Sequence, residues 1–285
     1  MIPLSKNNYI RQSGSGTTFN IEIDPLPTSF DSYFVESCRA AEEIYNLKQG
    51  KLHLMYSGGI DSEFMLSVFL HMKMDFVPVI VQLNPNYNTH DTDYAFDFCV
   101  SRGLVPKIID INYDRFVRSG KMLDISLDMK CCVPHYSTTM YGVSQLDGTV
   151  LMGDGEPCIS LIDGRWQLSI FEFDYAPPNY FHRHGIDGTP HVNRYTPQMM
   201  AAFLNDQRMR DLAAGKLPGK LDSNSSKCIV YNNQSGLGLV ERKKYNGLEI
   251  IETQDIFQHE DFKTLELKRK EWLGIWTKDY QDVIK

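Results

Sequence analysis

Between residues 51 and 152 the apolar positions fall into short, nearly unbroken runs that alternate with stretches of helical period. The runs at 51–56, 76–83, 106–111 and 148–152 have strand length, and polar or glycine-rich turns stop each of them. Phe30, Tyr33, Phe34, Cys38, Ala41, Ile44 and Tyr45 recur at helical spacing and predict a helix within 29–47. Phe64, Met65, Val68, Phe69 and Met72 predict a second, and Tyr94, Ala95, Phe98 and Cys99 a third, which Gly103 ends. Residues 135–145 are a further helical segment. Strands and helices alternating at this spacing imply right-handed crossovers and a parallel sheet. Runs that are continuous rather than alternating imply strands covered on both faces.

Beyond Pro157 the pattern changes. Residues 160–197 carry Trp166, several Phe and Tyr, Pro177-Pro178 and three of the eight histidines, with no sustained period. Residues 198–214 read as a helix ended by the Gly- and Pro-containing stretch 215–219, and the tail 254–284 reads as helical. Residues 1–28 are polar and irregular, with a flexible turn at 13–16. The expected organisation is therefore an N-terminal extension (1–28), an α/β nucleotide domain with a doubly wound parallel sheet (29–157), and an appended, mainly helical C-terminal lobe (158–285).

Composition narrows the function more than the fold. With 42% hydrophobic and 23% charged residues in 285, the chain is of ordinary globular composition. A net charge of −7 argues against a broad surface for duplex nucleic acid, while leaving room for a local basic channel. No apolar stretch reaches the length of a membrane span, and the first residues lack the apolar core of a signal peptide. The six cysteines form no Cys-x-x-Cys pair, which excludes the usual zinc-knuckle and thioredoxin spacings. Cys131-Cys132 is the one unusual pairing. The expectation is reduced thiols in a cytoplasmic protein.

The chemistry concentrates at Ser57-Gly58-Gly59-Ile60-Asp61-Ser62, between an expected strand and an expected helix. Glycines let the backbone turn sharply and approach a ligand closely. The free N–H groups of the following helix then point at one spot that favours an anion. Ser57 and Ser62 add hydroxyl donors, and Asp61 makes sense beside phosphates if it holds a bridging Mg²⁺. The plainer alternative is a tight turn with Asp61 and Ser62 capping the helix. The run fits neither the Walker A nor the Rossmann glycine pattern.

Tyr56-Ser57-Gly58-Gly59-Ile60-Asp61-Ser62 resembles the PP-loop of the N-type ATP pyrophosphatases, closest in character to the synthetase domain of asparagine synthetase without its glutaminase half. The resemblance implies a HUP-type sheet, ATP and Mg²⁺ as cofactors, and cleavage of ATP to AMP and pyrophosphate. Gly153-Asp154-Gly155-Glu156 is similar to that family's second acidic, glycine-rich motif, although Pro157 stands where further acidic residues are usual. By this likeness Asp154 and Glu156 join Asp61 as metal ligands, and Gly153 as a nucleotide contact; an exposed acidic turn is the alternative. The end of the second strand at Leu83 is implied to meet adenine through main-chain groups. A lysine in the C-terminal lobe is implied to face the reacting phosphorus. Lys244 in the basic run 241–247 is the candidate, with Arg242 next, against a solvated charged turn. His182 and His184 would share a face if they lay on a strand, but no partner at zinc spacing supports a metal site there. The aromatics between Trp166 and Phe181 read as packing rather than as a base-stacking platform.

The leading expectation is an adenylating ligase that activates a carboxylate or amide for attack by an amine or ammonia. Ammonia would come from solution or a separate subunit. A sulfur-transfer relative (PAPS reductase-like or tRNA-thiolating) and a non-catalytic nucleotide-binding protein are the alternatives. The substrate is not identified by the sequence.

Overall fold

The computed structural model describes residues 8–216, 223–240, 245 and 247–284. The chain first makes an antiparallel pair, β1 (Ile10–Ser13) with β2 (Asn20–Ile23). Ile10, Phe19 and Ile21 are buried there, and the Tyr9 hydroxyl donates to the Arg194 carbonyl. The segment expected to be irregular thus contains a packed hairpin. Next comes α1 (Tyr33–Leu47), capped by the Ser32 side chain, which accepts the Val35 N–H.

Then follow β3 (Leu52–Met55), α2 (Ile60–His71), β4 (Val77–Asn84), α3 (Thr89–Ser101) and β5 (Lys107–Asn112). Three short helices, α4 (Tyr113–Arg118), α5 (Lys121–Met129) and α6 (Pro134–Val143), lead to β6 (Thr149–Met152). After these come β7 (Cys158–Ile162), β8 (Arg165–Phe171), α7 (Ala176–Arg183) and β9 (Gly188–Thr189). A five-stranded sheet has the order β5-β4-β3-β6-β9, and every pairing in it is parallel. This is the doubly wound α/β sheet that the apolar runs predict.

Side-chain alternation explains why those runs are continuous. Leu52, Leu54, Ile80 and Leu151 enter one core with α1, α2 and α8 (Pro197–Leu204). Met55, Val79, Ile109, Ile111, Val150 and Met152 enter a second core with α4, α5, α6 and α7. Each face of the sheet is covered, so both phases of the period-2 pattern must be apolar.

The second half is mainly helical, as expected, but it also carries a small sheet. β7 and β8 form a hairpin whose register pairs Ile162 with Arg165 across Asp163-Gly164. Both turn residues have positive φ, 49° and 77°, which Asp-Gly supplies readily in a two-residue hairpin turn. The helix expected across 198–214 is two helices, α8 and α9 (Gln207–Ala213). They part at Asn205-Asp206, where the Asp206 carboxylate caps the new helix by accepting the Arg208 N–H. α10 (Ser223–Asn232), α11 (Leu248–Ile251) and α12 (Glu260–Trp272) follow. The expected helical tail then turns at Leu273-Gly274 into β10 (Ile275–Asp279), which pairs with β8 to complete a sheet of order β10-β8-β7.

The chain winds from β3 through β4 to β5 at one edge, then returns to β6 on the other side of β3. The carboxyl ends of β3 and β6 therefore flank the switch point, where open parallel sheets leave a crevice.

Candidate functional site

Residues 57–62 join β3 to α2 at that crevice. The loop is tied to itself by its own hydroxyls. Ser62 Oγ donates to the Gly59 carbonyl at 2.9 Å and lies 3.2 Å from Ser57 Oγ, which accepts the Gly59 N–H at 3.4 Å. Gly59 is extended and Ile60 opens α2, so the first N–H groups of a 12-residue helix face the crevice. Gly58 has φ +76°, and a Cβ there would meet the Asp91 carbonyl oxygen at 2.3 Å. Gly58→Ala should therefore lower stability by about 1–3 kcal/mol and abolish nucleotide binding. Thermal denaturation and calorimetry with ATP check this, and an alanine variant that binds ATP normally would remove the close approach from the account.

Asp61 points across to α10. Its Oδ2 is 3.1 Å from Lys227 Nζ, and its Oδ1 accepts the Tyr231 hydroxyl at 2.7 Å. Lys227 also pairs with Glu156, on the loop after β6. One ammonium, its side chain only 9% exposed, thus lies between two carboxylates from loops at adjacent strand ends. Lys227 and Tyr231 are one helical turn apart and so share a face of α10. Tyr231 stacks on Phe64 of α2 with ring centroids 4.3 Å apart. The Asn193 side-chain amide donates to the Gly153 carbonyl at 2.6 Å and approaches the Tyr231 hydroxyl at 3.4 Å. Gly153 itself lies against the start of α2, where a Cβ would be 2.7 Å from Ser62 Cα. The two loops are therefore in backbone contact.

The charges are unequal, and the titration behaviour follows from that. Burial pushes the Glu156 carboxyl up to about 7, with the Asp61 charge adding to the rise and Lys227 opposing it. Burial pulls Lys227 down, but the Asp61 and Glu156 charges outweigh it and hold the ammonium protonated above its usual range. A carboxyl whose folded pKa exceeds its unfolded value binds more protons in the folded state across that interval. Its contribution to stability falls as pH rises from about 4.5 to about 7. Thermal melts should accordingly show this decline in the native protein and a flatter curve in Glu156→Gln. Parallel curves would place the proton elsewhere.

A cavity opens beside the loop. Ser57, Ser62, Gly153 and Asp154 line one end, and Val81, Leu83 and Asn88 another part of its wall. His135, Tyr136 and Thr139 of α6, Leu248 and Ile251 of α11, and Tyr245 also line it. The structure thus brings Ser57, Ser62, Leu83, Gly153 and Asp154 to one cavity, with Asp61 and Glu156 joined beside it through Lys227. The Leu83 N–H donates to Asn88 Oδ1. Arg242 and Lys244 lie outside the described residues. Among the described residues no three His, Cys, Asp or Glu side chains are grouped to hold a metal ion. Two hard carboxylates still fit Mg²⁺, which takes few protein oxygens and fills its shell with phosphate and water. His182 and His184 sit at the end of α7 rather than on a strand, and His184 Nε2 meets Asp128 Oδ2 at 2.7 Å. No helix among the described residues is long and apolar enough to cross a membrane.

Lys227 and Tyr231 are the site residues that sequence reading misses. The one local signal is their four-residue spacing in a segment with no glycine or proline, a pattern shared by many surface helices.

No family model matches the sequence, and no curated protein does. Among solved structures, the chain is similar to a protein described as a subunit of tRNA methyltransferase from Methanocaldococcus jannaschii, at 16% identity and TM-score 0.33 over 69% of this chain and 95% of that one. It is similar to NH3-dependent NAD synthetase from Campylobacter jejuni at 14% identity and TM-score 0.36, over 84% and 92% of the two chains. It is also similar to the U34-tRNA thiolase NcsA from Methanococcus maripaludis, a protein with a 4Fe–4S cluster, at 13% identity and TM-score 0.29 over 82% and 79%. Likenesses this distant leave the fold to be read from the chain's own strand order.

Proposed function

We propose that this protein is an ATP pyrophosphatase of the PP-loop type, which transfers AMP from ATP to an oxygen of its substrate. The observation that carries the reading is Lys227, held between Asp61 and Glu156 beside the helix-terminal loop at the switch point. In this reading the N–H groups at the start of α2, with Ser57 and Ser62, bind the β and γ phosphates. A substrate carboxylate or amide oxygen attacks the α-phosphorus, the bond to the bridging oxygen breaks, and pyrophosphate leaves with the electron pair. Lys227 faces the charge that builds on the leaving group. Asp61 and Glu156 would hold Mg²⁺, which when bound neutralises phosphate charge. An amine or ammonia then displaces AMP and forms a C–N bond.

Five of the six thiols favour this over sulfur transfer. Burial raises Cys38, Cys99, Cys131, Cys132 and Cys158 above the usual thiol range, and no cysteine lines the cavity. A thiolate nucleophile needs the opposite environment.

ATP labelled at the α-phosphate, incubated with Mg²⁺ and panels of carboxylates, amides and amines, tests the proposal. Labelled AMP with release of pyrophosphate supports it, and ADP as the sole labelled product would sink it.

A further inference from the structure

The cavity wall holds a second feature, away from the charged cluster. β4 runs beyond its neighbour on one side only. Its pairing with β5 continues to Asn84 opposite Asn112, whereas its pairing with β3 ends at Met55 opposite Val79. The Tyr56 N–H still reaches the Val79 carbonyl, and then the chain turns away into the phosphate loop. Val81 and Leu83 share the parity of Val79, so their main-chain groups face the side that β3 has vacated. A buried strand edge of this kind must find partners.

The Leu83 carbonyl accepts the Tyr87 N–H, and a single side chain meets the Val81 carbonyl and the Leu83 N–H. Asn88 Nδ2 donates to the Val81 carbonyl at 2.9 Å, and Asn88 Oδ1 accepts the Leu83 N–H at 2.8 Å. Asn88 is the residue before α3, yet its side chain makes no cap bond to that helix. It folds back onto β4 instead, and Val81, Leu83 and Asn88 all line the cavity. A carboxamide presents a donor and an acceptor on neighbouring atoms in one plane. The amino group and adjacent ring nitrogen of a 6-aminopurine present the same donor and acceptor pair, so either group can bond one carbonyl and one N–H of a strand edge.

We propose that the Asn88 carboxamide is a removable stand-in for a nucleobase. It satisfies Val81 and Leu83 in the free protein and yields both to the amino and ring-nitrogen edge of an incoming 6-aminopurine. The inference rests on the reading of the cavity as a nucleotide site. Its consequence is that the free protein is self-occupied, and base binding is weakened by the fraction of molecules in which Asn88 is in place.

Two variants test it, Asn88→Ala and Asn88→Ser, the serine being able to cap α3 where alanine is not. ATP and inorganic tripolyphosphate are titrated with Mg²⁺ into the intact chain, and hydrogen exchange is followed at the Leu83 amide. ATP should bind about 5- to 20-fold more tightly to both variants than to the native protein, with tripolyphosphate unchanged. The Leu83 amide should exchange slowly in the free native protein and fast in the free variants. It should become slow again in the variants with ATP, and stay fast with tripolyphosphate. Unchanged or weaker ATP binding with normal tripolyphosphate binding overturns the stand-in role alone, as does a Leu83 amide that stays fast in the ATP complex. A native protein that binds neither ligand overturns the nucleotide reading and this inference with it.

Discussion

Lys227→Ala should slow AMP formation by about 10²- to 10³-fold, the usual loss when one charge-stabilising donor is removed from an enclosed site. The ammonium touches both Asp61 and Glu156, and its own side chain is 9% exposed. No water-filled substitute reproduces a point charge fixed there. The same change leaves Asp61 and Glu156 facing each other without their shared cation, so stability should fall by about 3–5 kcal/mol. Chemistry and folding are separated by single-turnover measurements below the melting temperature, with ATP binding recorded on the same sample. Lys244→Ala is the companion variant, because the basic run at 241–247 is the other source of a cation. Full activity in Lys227→Ala with a large loss in Lys244→Ala would move the role to that run.

Asp61→Asn should be as damaging to turnover, by about 10³-fold, while keeping the fold. The amide has the shape of the carboxylate and can still accept from Tyr231, and Lys227 retains Glu156. What disappears is one of the carboxylate charges proposed to hold Mg²⁺. Turnover against Mg²⁺ concentration is the direct measurement, and an active variant with unaltered Mg²⁺ dependence would end the metal role. A second readout is independent of catalysis. The Asp61 charge helps hold the Glu156 carboxyl up near 7, so its removal should move that carboxyl towards the ordinary range. Carbon-detected titration of the glutamate side chains would show the shift.

How far these residues are legible in the sequence depends on how locally they are encoded. The parallel sheet is legible because strands covered on both faces need unbroken apolar runs, and residues 52–55 and 149–152 are buried without exception. The loop at residues 57–62 is legible because its six residues are contiguous. The β7–β8 hairpin is written in Asp163-Gly164, but the surrounding aromatics and prolines obscure its alternation. Lys227 is a different matter. It lies 166 positions from Asp61, and only the packing of α10 on α2 brings them together. Arg242 and Lys244 stand out in sequence because they are clustered, whereas the described cation is a single lysine followed by Cys-Ile-Val-Tyr. Asn88 is hidden for a related reason, since nothing in Tyr87-Asn88-Thr89 tells a helix cap from a side chain turned back on a strand.

The backbone contact between Gly153 and the start of α2 leaves substitution unequal room around the cavity. Near the loop, Gly153 has no room for a methyl group against Ser62, and Gly58 has none against the Asp91 carbonyl. A side chain at either glycine would displace backbone. The wall formed by His135, Tyr136, Thr139, Leu248 and Ile251 is made of side chains on short helices, each replaceable without moving a strand. If the cavity holds ATP as proposed, acceptor choice can be redrawn in that wall while the loop end is left intact, and redesign should begin there.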